Sequence, residues 1–252
     1  MHQTGNSPPH DRWAAIDNRL LGRLPREVHD DVLAASDRFP LESAHLLWDA
    51  NERSDHVYFP VQGFISLLSM VGSNPSLEIG LIGQEGMAGL HAVLSDQPTP
   101  SRAMVQGEGW AWRIAVEDFT AISARRPALR RVIDGYSMVV MSQLATSAAC
   151  QRFHQIGPRV ARWLLLCQDR ANSDHFTITH EFLAHTMGVR RSSITQAAGV
   201  LQKEGLISYL RGEMVVLDRS GLKDFACDCY DINCADYAKF LGVDPRPAVL
   251  RD

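Results

Sequence analysis

The 252-residue sequence has no apolar stretch near the roughly 20 residues that a bilayer crossing needs, so no membrane span is expected. Residues 1–12 are polar and proline-containing and lack the apolar centre of a secretory signal, which leaves the cytoplasm as the expected compartment. Cysteine is scarce. The five present, Cys150, Cys167, Cys227, Cys229 and Cys234, are too few and too unevenly placed for a disulfide framework. Neither sign of charge dominates, and the formal net charge of −4 excludes a surface that is basic throughout. The common catalytic signatures are missing too: there is no Gly-rich phosphate loop, no Gly-x-Ser-x-Gly elbow and no His-Glu-x-x-His pair. A cupin-like metalloenzyme would need clustered His and Glu between residues 57 and 114, and no such triad stands there. An enzyme is not expected.

What is present has the composition of a globular protein, with 45% hydrophobic and 21% charged residues, so wholesale disorder is excluded. The length suits one large domain or two ordinary ones. Charge is distributed unevenly. Residues 151–225 carry ten Lys and Arg against seven Asp and Glu, while the segments on either side are net acidic. A polyanion would find its best partner in that basic block.

Between residues 13 and 33 the pattern predicts short helices broken at Gly22 and Pro25. From 41 to 114 the texture changes to short apolar runs: VYFP (57–60), GFISLLSMV (63–71), SLEIGLI (76–82), AMVQG (103–107) and WAWRI (110–114), separated by Gly, Pro, Asn and Ser. Such punctuation predicts a β-roll or jelly roll. A helix over 116–124 stops at Pro127, and a longer one follows over 128–153. Its Val132, Tyr136, Val139, Val140 and Leu144 recur at spacings of three and four, and small residues follow at 145–149. That stripe reads either as core or as a dimer seam. Pro158 suits the first turn of a further helix over 159–170.

The segment 177–218 is the most informative. Thr179 is placed to cap a helix burying Phe182, Leu183 and Met187, and Gly188 provides a tight turn. A second helix then opens at Arg190-Arg191-Ser192-Ser193 and buries Ile194, Ala197, Ala198 and Leu201, leaving Arg191, Ser192, Thr195 and Gln196 outside. Residues 205–217 complete the pattern with a strand, a turn at Arg211-Gly212 and a returning strand. This is a helix-turn-helix with a β-hairpin wing. Its helix start offers free N–H groups to phosphate, Arg can pair bidentately with guanine, and Gln can pair with adenine.

The order of β-roll, long helix and winged helix-turn-helix resembles the Crp/Fnr family of bacterial transcription regulators. The carrying motifs are VYFPVQGFISLL (57–68), EIGLIGQEGMAGL (78–90) and THEFLAHTMGVRRSSITQAAGVLQKEGLI (179–207). The resemblance implies an α+β fold in four parts: an N-terminal sensor roll (13–127), a dimerisation helix (128–153), a winged helix-turn-helix (154–225) and a C-terminal extension (226–252). It implies a homodimer bound to palindromic double-stranded DNA, working with RNA polymerase. Base contacts then fall to Arg191, Ser192 and Gln196, and phosphate contacts to Arg190, Thr195 and Arg211. A cyclic-nucleotide-binding module acting through protein partners is the alternative.

In that family a Gly-Glu pair and an Arg-Ser or Arg-Thr pair hold cyclic AMP. The matching effector-pocket candidates are Glu85 and Arg102, both displaced: one extra residue separates Gly83 from Glu85, and Arg102 follows Ser101. A one-residue shift in a strand turns a side chain to the other face, so no cofactor is expected and Glu85 reads better as a turn cap. Fnr-type cluster cysteines near the N-terminus are missing, since no cysteine precedes Cys150. Cys227, Cys229 and Cys234 offer three thiols to zinc or a cluster, but C-x-C-x4-C matches no established spacing, and a small helix with partly buried cysteines is the expectation. A single axial histidine for haem leaves no spacing signature; His45, His56, His91 and His154 read as surface or turn residues.

Overall fold

The computed structural model describes residues 18–70 and 77–247. Part of the helical pattern over 13–33 and the N-terminal dozen residues lie outside them. A 3-10 turn, Leu21–Arg23, precedes α1 (Arg26–Ala34), with Pro25 as its N-cap residue, so Gly22 and Pro25 do punctuate this region.

The roll consists of β1 (Asp37–Leu41), β2 (Leu46–Trp48), β3 (His56–Ser69), β4 (Leu77–Ile82) and β5 (Ser101–Ala115). All pairings are antiparallel in the order β1-β5-β3-β4, with β2 also on β5. Two pairs of runs expected as separate strands are continuous. Residues 57–60 and 63–69 both belong to β3, and 103–107 and 110–114 both belong to β5. The glycines between them mark register shifts within the β3–β5 ladder, not turns. Gly63 has φ +81, and a side chain at Gly63 or Gly109 would strike backbone of the opposite strand, so glycine lets two long strands bend together into a roll. Leu41, Trp48, Tyr58, Ile65, Ile82, Ala103, Val105 and Ala111 fill the interior.

After the short α2 (Leu90–Leu94) and β5, the chain runs through α3 (Val116–Arg125) and α4 (Pro127–Phe153), with Pro127 in the first helical turn, where its missing N–H costs nothing. The apolar stripe assigned to α4 is largely core: Tyr136 and Val139 are buried with Leu129 and Ile133 against the roll and α3. The apolar residues α4 leaves outside are Met138, Met141, Leu144 and, at its end, Phe153, with exposed Ala145, Ala148 and Ala149 between them.

The C-terminal part contains α5 (Ile156–Ala171), β6 (His175–Thr177), α6 (His180–Met187), α7 (Arg191–Lys203), β7 (Ile207–Leu210) and β8 (Glu213–Val216), followed by α8 (Arg219–Phe225) and α9 (Cys229–Leu241). Strand β6 adds a third member to the wing sheet, order β6-β8-β7. Helix α9 doubles back along α4, where Gly135 lies against Phe240 and Leu241 with no room for a side chain. A buried polar group fastens this return. Asp169 of α5 accepts from Tyr230 Oη at 2.8 Å and from Arg219 Nη2 at 2.8 Å, and Arg219 also reaches Gln168.

Candidate nucleic-acid interface

Local sequence dictates the helix-turn-helix. Thr179 Oγ1 accepts from the Phe182 N–H at 3.1 Å, capping α6. Gly188 ends that helix at φ +65, in the left-handed region that glycine occupies without strain. Helix α7 then buries Ile194, Ala197, Ala198 and Leu201 in a core shared with Trp163, Leu164, Leu183 and Met187. The two alanines keep α7 close to α5.

On the outer side of this scaffold Arg190, Arg191, Ser192, Thr195 and Gln196 are all exposed, within two turns of the α7 N-terminus. Arg190 is the N-cap residue and makes no side-chain capping bond, so the first N–H groups of α7 face outward without one. Arg191 is 69% exposed and lies 4.0 Å from the Glu181 carboxylate, a loose pairing that leaves the guanidinium free to move to another anion. In the wing, Arg211 (φ +52) and Gly212 (φ +93) both take positive φ, as a tight two-residue hairpin turn requires, and this puts Arg211 at the exposed tip.

Sequence reasoning missed His180. Its Nδ1 lies 3.1 Å from Thr195 Oγ1, and its ring stacks on Tyr209 of β7 with centroids 4.1 Å apart. One side chain thus ties α6, α7 and the wing together. Burial, followed by the Arg191 charge, lowers its pKa. Thr195 also donates to the Arg191 carbonyl at 3.1 Å.

The effector-pocket candidates are not brought together. Glu85 is buried, 2% exposed, and accepts from the Gly83 N–H at 3.1 Å, the turn-capping role expected of it. It also pairs at 2.9 Å with Arg170, a buried residue of α5. Sequence reading had no signal for that partner, which comes from a different domain. A side chain at Gly83 would collide with Arg170, and one at Gly86 with Tyr136 of α4, so both glycines of this turn serve close approach. Arg102 is engaged elsewhere, with two bonds to Asp49 at 2.8 and 2.9 Å.

The thiols divide differently from the expected trio. Cys227 and Cys229 meet Cys150 and His154 at the end of α4, while Cys234 lies a turn further along α9, outside this group. His154 is therefore part of a side-chain cluster and not a plain surface residue.

Two family models match the chain in the order that this architecture requires. The cyclic nucleotide-binding domain matches residues 38–126, and the Crp-like helix-turn-helix domain matches residues 158–225. The chain belongs to the Crp/Fnr family of DNA-binding transcription regulators.

Solved structures share the fold of this Crp/Fnr chain. A protein assigned to the crp/fnr family from Eubacterium rectale superposes with TM-score 0.65 at 16% identity, covering 82% of this chain and 96% of its own. The c-di-GMP-responsive global regulator CLP of Xanthomonas campestris gives 0.63 at 15%, covering 76% and 99%. A CRP/FNR family regulator from Thermus thermophilus gives 0.62 at 19%, covering 75% and 98%. No curated sequence relative matches the chain. Among the described residues, no helix is long and apolar enough to cross a membrane.

Proposed function

We propose that this regulator is a cytoplasmic, non-enzymatic homodimer that places two α7 helices in successive major grooves of a palindromic operator and works with RNA polymerase. The observation that carries this reading is the exposed set on one rigid helix: Arg191, Ser192 and Gln196 for base edges, flanked by Arg190, Thr195 and Arg211 for phosphates. The His180 bridge supports it, because base readout needs a helix whose orientation is fixed relative to the wing. The parts are the sensor roll 13–127, the dimerisation helix 128–153, the winged helix-turn-helix 154–225 and the extension 226–252.

For the dimer seam we assign the outer face of α4. Met138, Met141, Ala145 and Ala148 are exposed at spacings of three, four and three, the repeat of a paired coiled coil. Small residues at two of these positions favour close approach of a second helix.

The roll acts here without cyclic nucleotide at the Glu85 and Arg102 positions. Glu85 is committed to Arg170 and Arg102 to Asp49, and aromatic side chains occupy the interior of the roll. Selection of bound sites from a random DNA pool, at stated salt, with and without cyclic AMP, tests the whole reading. Enrichment of a palindrome without effector is expected. Enrichment only with cyclic AMP would overturn the assignment of the roll, and no enrichment in either case would overturn the assignment of α7.

A further inference from the structure

Four side chains with no role in DNA reading converge where the long helix ends. Cys150 and His154 stand one helical turn apart at the end of α4, and Cys227 and Cys229 flank one residue at the start of α9. The two pairs lie far apart in the chain, and the return of α9 along α4 brings them together. Their ligand atoms all lie within 4.8 Å of one another. Cys150 Sγ is 3.6 Å from Cys227 Sγ, and Cys229 Sγ is 3.5 Å from His154 Nδ1.

These spacings have a chemical meaning. A tetrahedral zinc ion with Zn–S of about 2.3 Å and Zn–N of about 2.05 Å sets its sulfurs about 3.8 Å apart and sulfur and nitrogen about 3.6 Å apart. The Cys150–Cys227 and Cys229–His154 edges agree with those lengths, and the remaining ones lie within 4.8 Å. An iron–sulfur cluster spreads its thiolates over several irons joined by sulfides, which needs more room than this group has. From this juxtaposition of three thiols and one imidazole we propose that Cys150, His154, Cys227 and Cys229 form a mononuclear structural zinc site.

The surroundings fit a metal better than an apolar core. The three cysteines form a buried cluster of their own, without aliphatic members. Three thiolates and a neutral imidazole around a divalent ion leave one net negative charge. The Arg162 guanidinium supplies a positive charge beside the group, and its Nε is buried without a hydrogen-bond partner among the described residues. Such a site would pin the α4–α5 junction to the C-terminal extension. It would also steady Arg159, whose charge acts on Cys150 and Cys227 and whose Nη2 donates to the Met187 carbonyl at the end of α6.

The test is metal analysis of the reduced full chain, followed by cobalt titration after zinc removal. One zinc per chain is expected, together with the visible and thiolate charge-transfer bands of tetrahedral cobalt. Cys229→Ser and His154→Ala should lose the stoichiometric metal, and Cys234→Ser should keep it. Folding of each variant is checked by far-ultraviolet circular dichroism, while the cobalt spectrum of the unaltered chain tests the site independently of any variant. Absence of tetrahedral cobalt absorption would overturn the proposal, as would its retention in Cys229→Ser. A Cys150–Cys227 disulfide in a chain that takes up no metal after reduction would overturn it in favour of a redox pair.

Discussion

At the residue scale, exposed and enclosed charged side chains have different tasks. Arg191 is exposed, as its proposed base contact requires, whereas Glu85 and Arg170 are enclosed as a buried ion pair. Arg191→Ala should therefore leave stability unchanged and cost about 1–3 kcal/mol at a specific operator, with preference relaxed at one base position; binding titrations on matched and substituted operators check this. Unchanged affinity and preference would contradict the assigned role. Glu85→Gln acts in the opposite way. It removes the carboxylate paired at 2.9 Å with the buried Arg170 guanidinium, so a loss of about 3–5 kcal/mol is expected in urea denaturation. A loss below about 1 kcal/mol would show that the pair is screened as a surface bridge is. These two sites also differ in how far the sequence reveals them. Thr179, Gly188 and Arg211-Gly212 carry local conformational signals that do not depend on distant contacts, so the helix-turn-helix and its wing are legible. Arg170 sits in an ordinary amphipathic helix, and nothing near it in sequence announces a carboxylate from the roll.

At the element scale, the joint between roll and helix-turn-helix should respond to pH. Glu78 of β4 is partly buried with its carboxyl turned inward, where it accepts from Ser66 Oγ and from Trp163 Nε1 of α5, the latter at 2.6 Å. Burial pushes its pKa up from 4.5 to about 7, outweighing the two hydrogen bonds. The folded chain thus keeps this proton where the unfolded chain has released it. Stability from this group is fully present below pH 4.5 and is lost as pH rises through about 7, by up to roughly 3 kcal/mol. Urea denaturation at about pH 5 and about pH 8 should show the decline, and Glu78→Gln should flatten it. An identical slope in the variant would place the titration elsewhere. The strands show a different limit of sequence reading. Glycine marks turns and bulges alike, so Gly63, Gly107 and Gly109 suggest strand ends although β3 and β5 continue through bulges there. Only the cross-strand approach, of backbone to Gly63 and Gly109 and of the Phe64 ring to Gly107, distinguishes the two cases.

For the whole molecule, the apolar period of α4 shows that the helix is amphipathic without showing which neighbour each face meets. Tyr136 and Val139 turn to the core of their own chain, and α9 covers another part of the helix. What remains outside is the face with Met138 and Met141, 45% and 62% exposed. Met138→Lys with Met141→Lys should convert the dimer to monomers in light scattering, since a charge at the centre of a paired-helix seam is buried without a partner. Loss of the dimer should weaken operator binding steeply, because two linked recognition helices gain from each other's anchoring. A persistent dimer would move the interface to another surface. The most direct measurement is a footprint of the protein on a selected operator, with the number of bound chains counted in the same complex. Two chains are expected, protecting half-sites about 10–10.5 base pairs apart, one helical turn of DNA. A single bound chain, or equal protection of unrelated DNA, would contradict the reading of this protein as a paired, sequence-specific regulator.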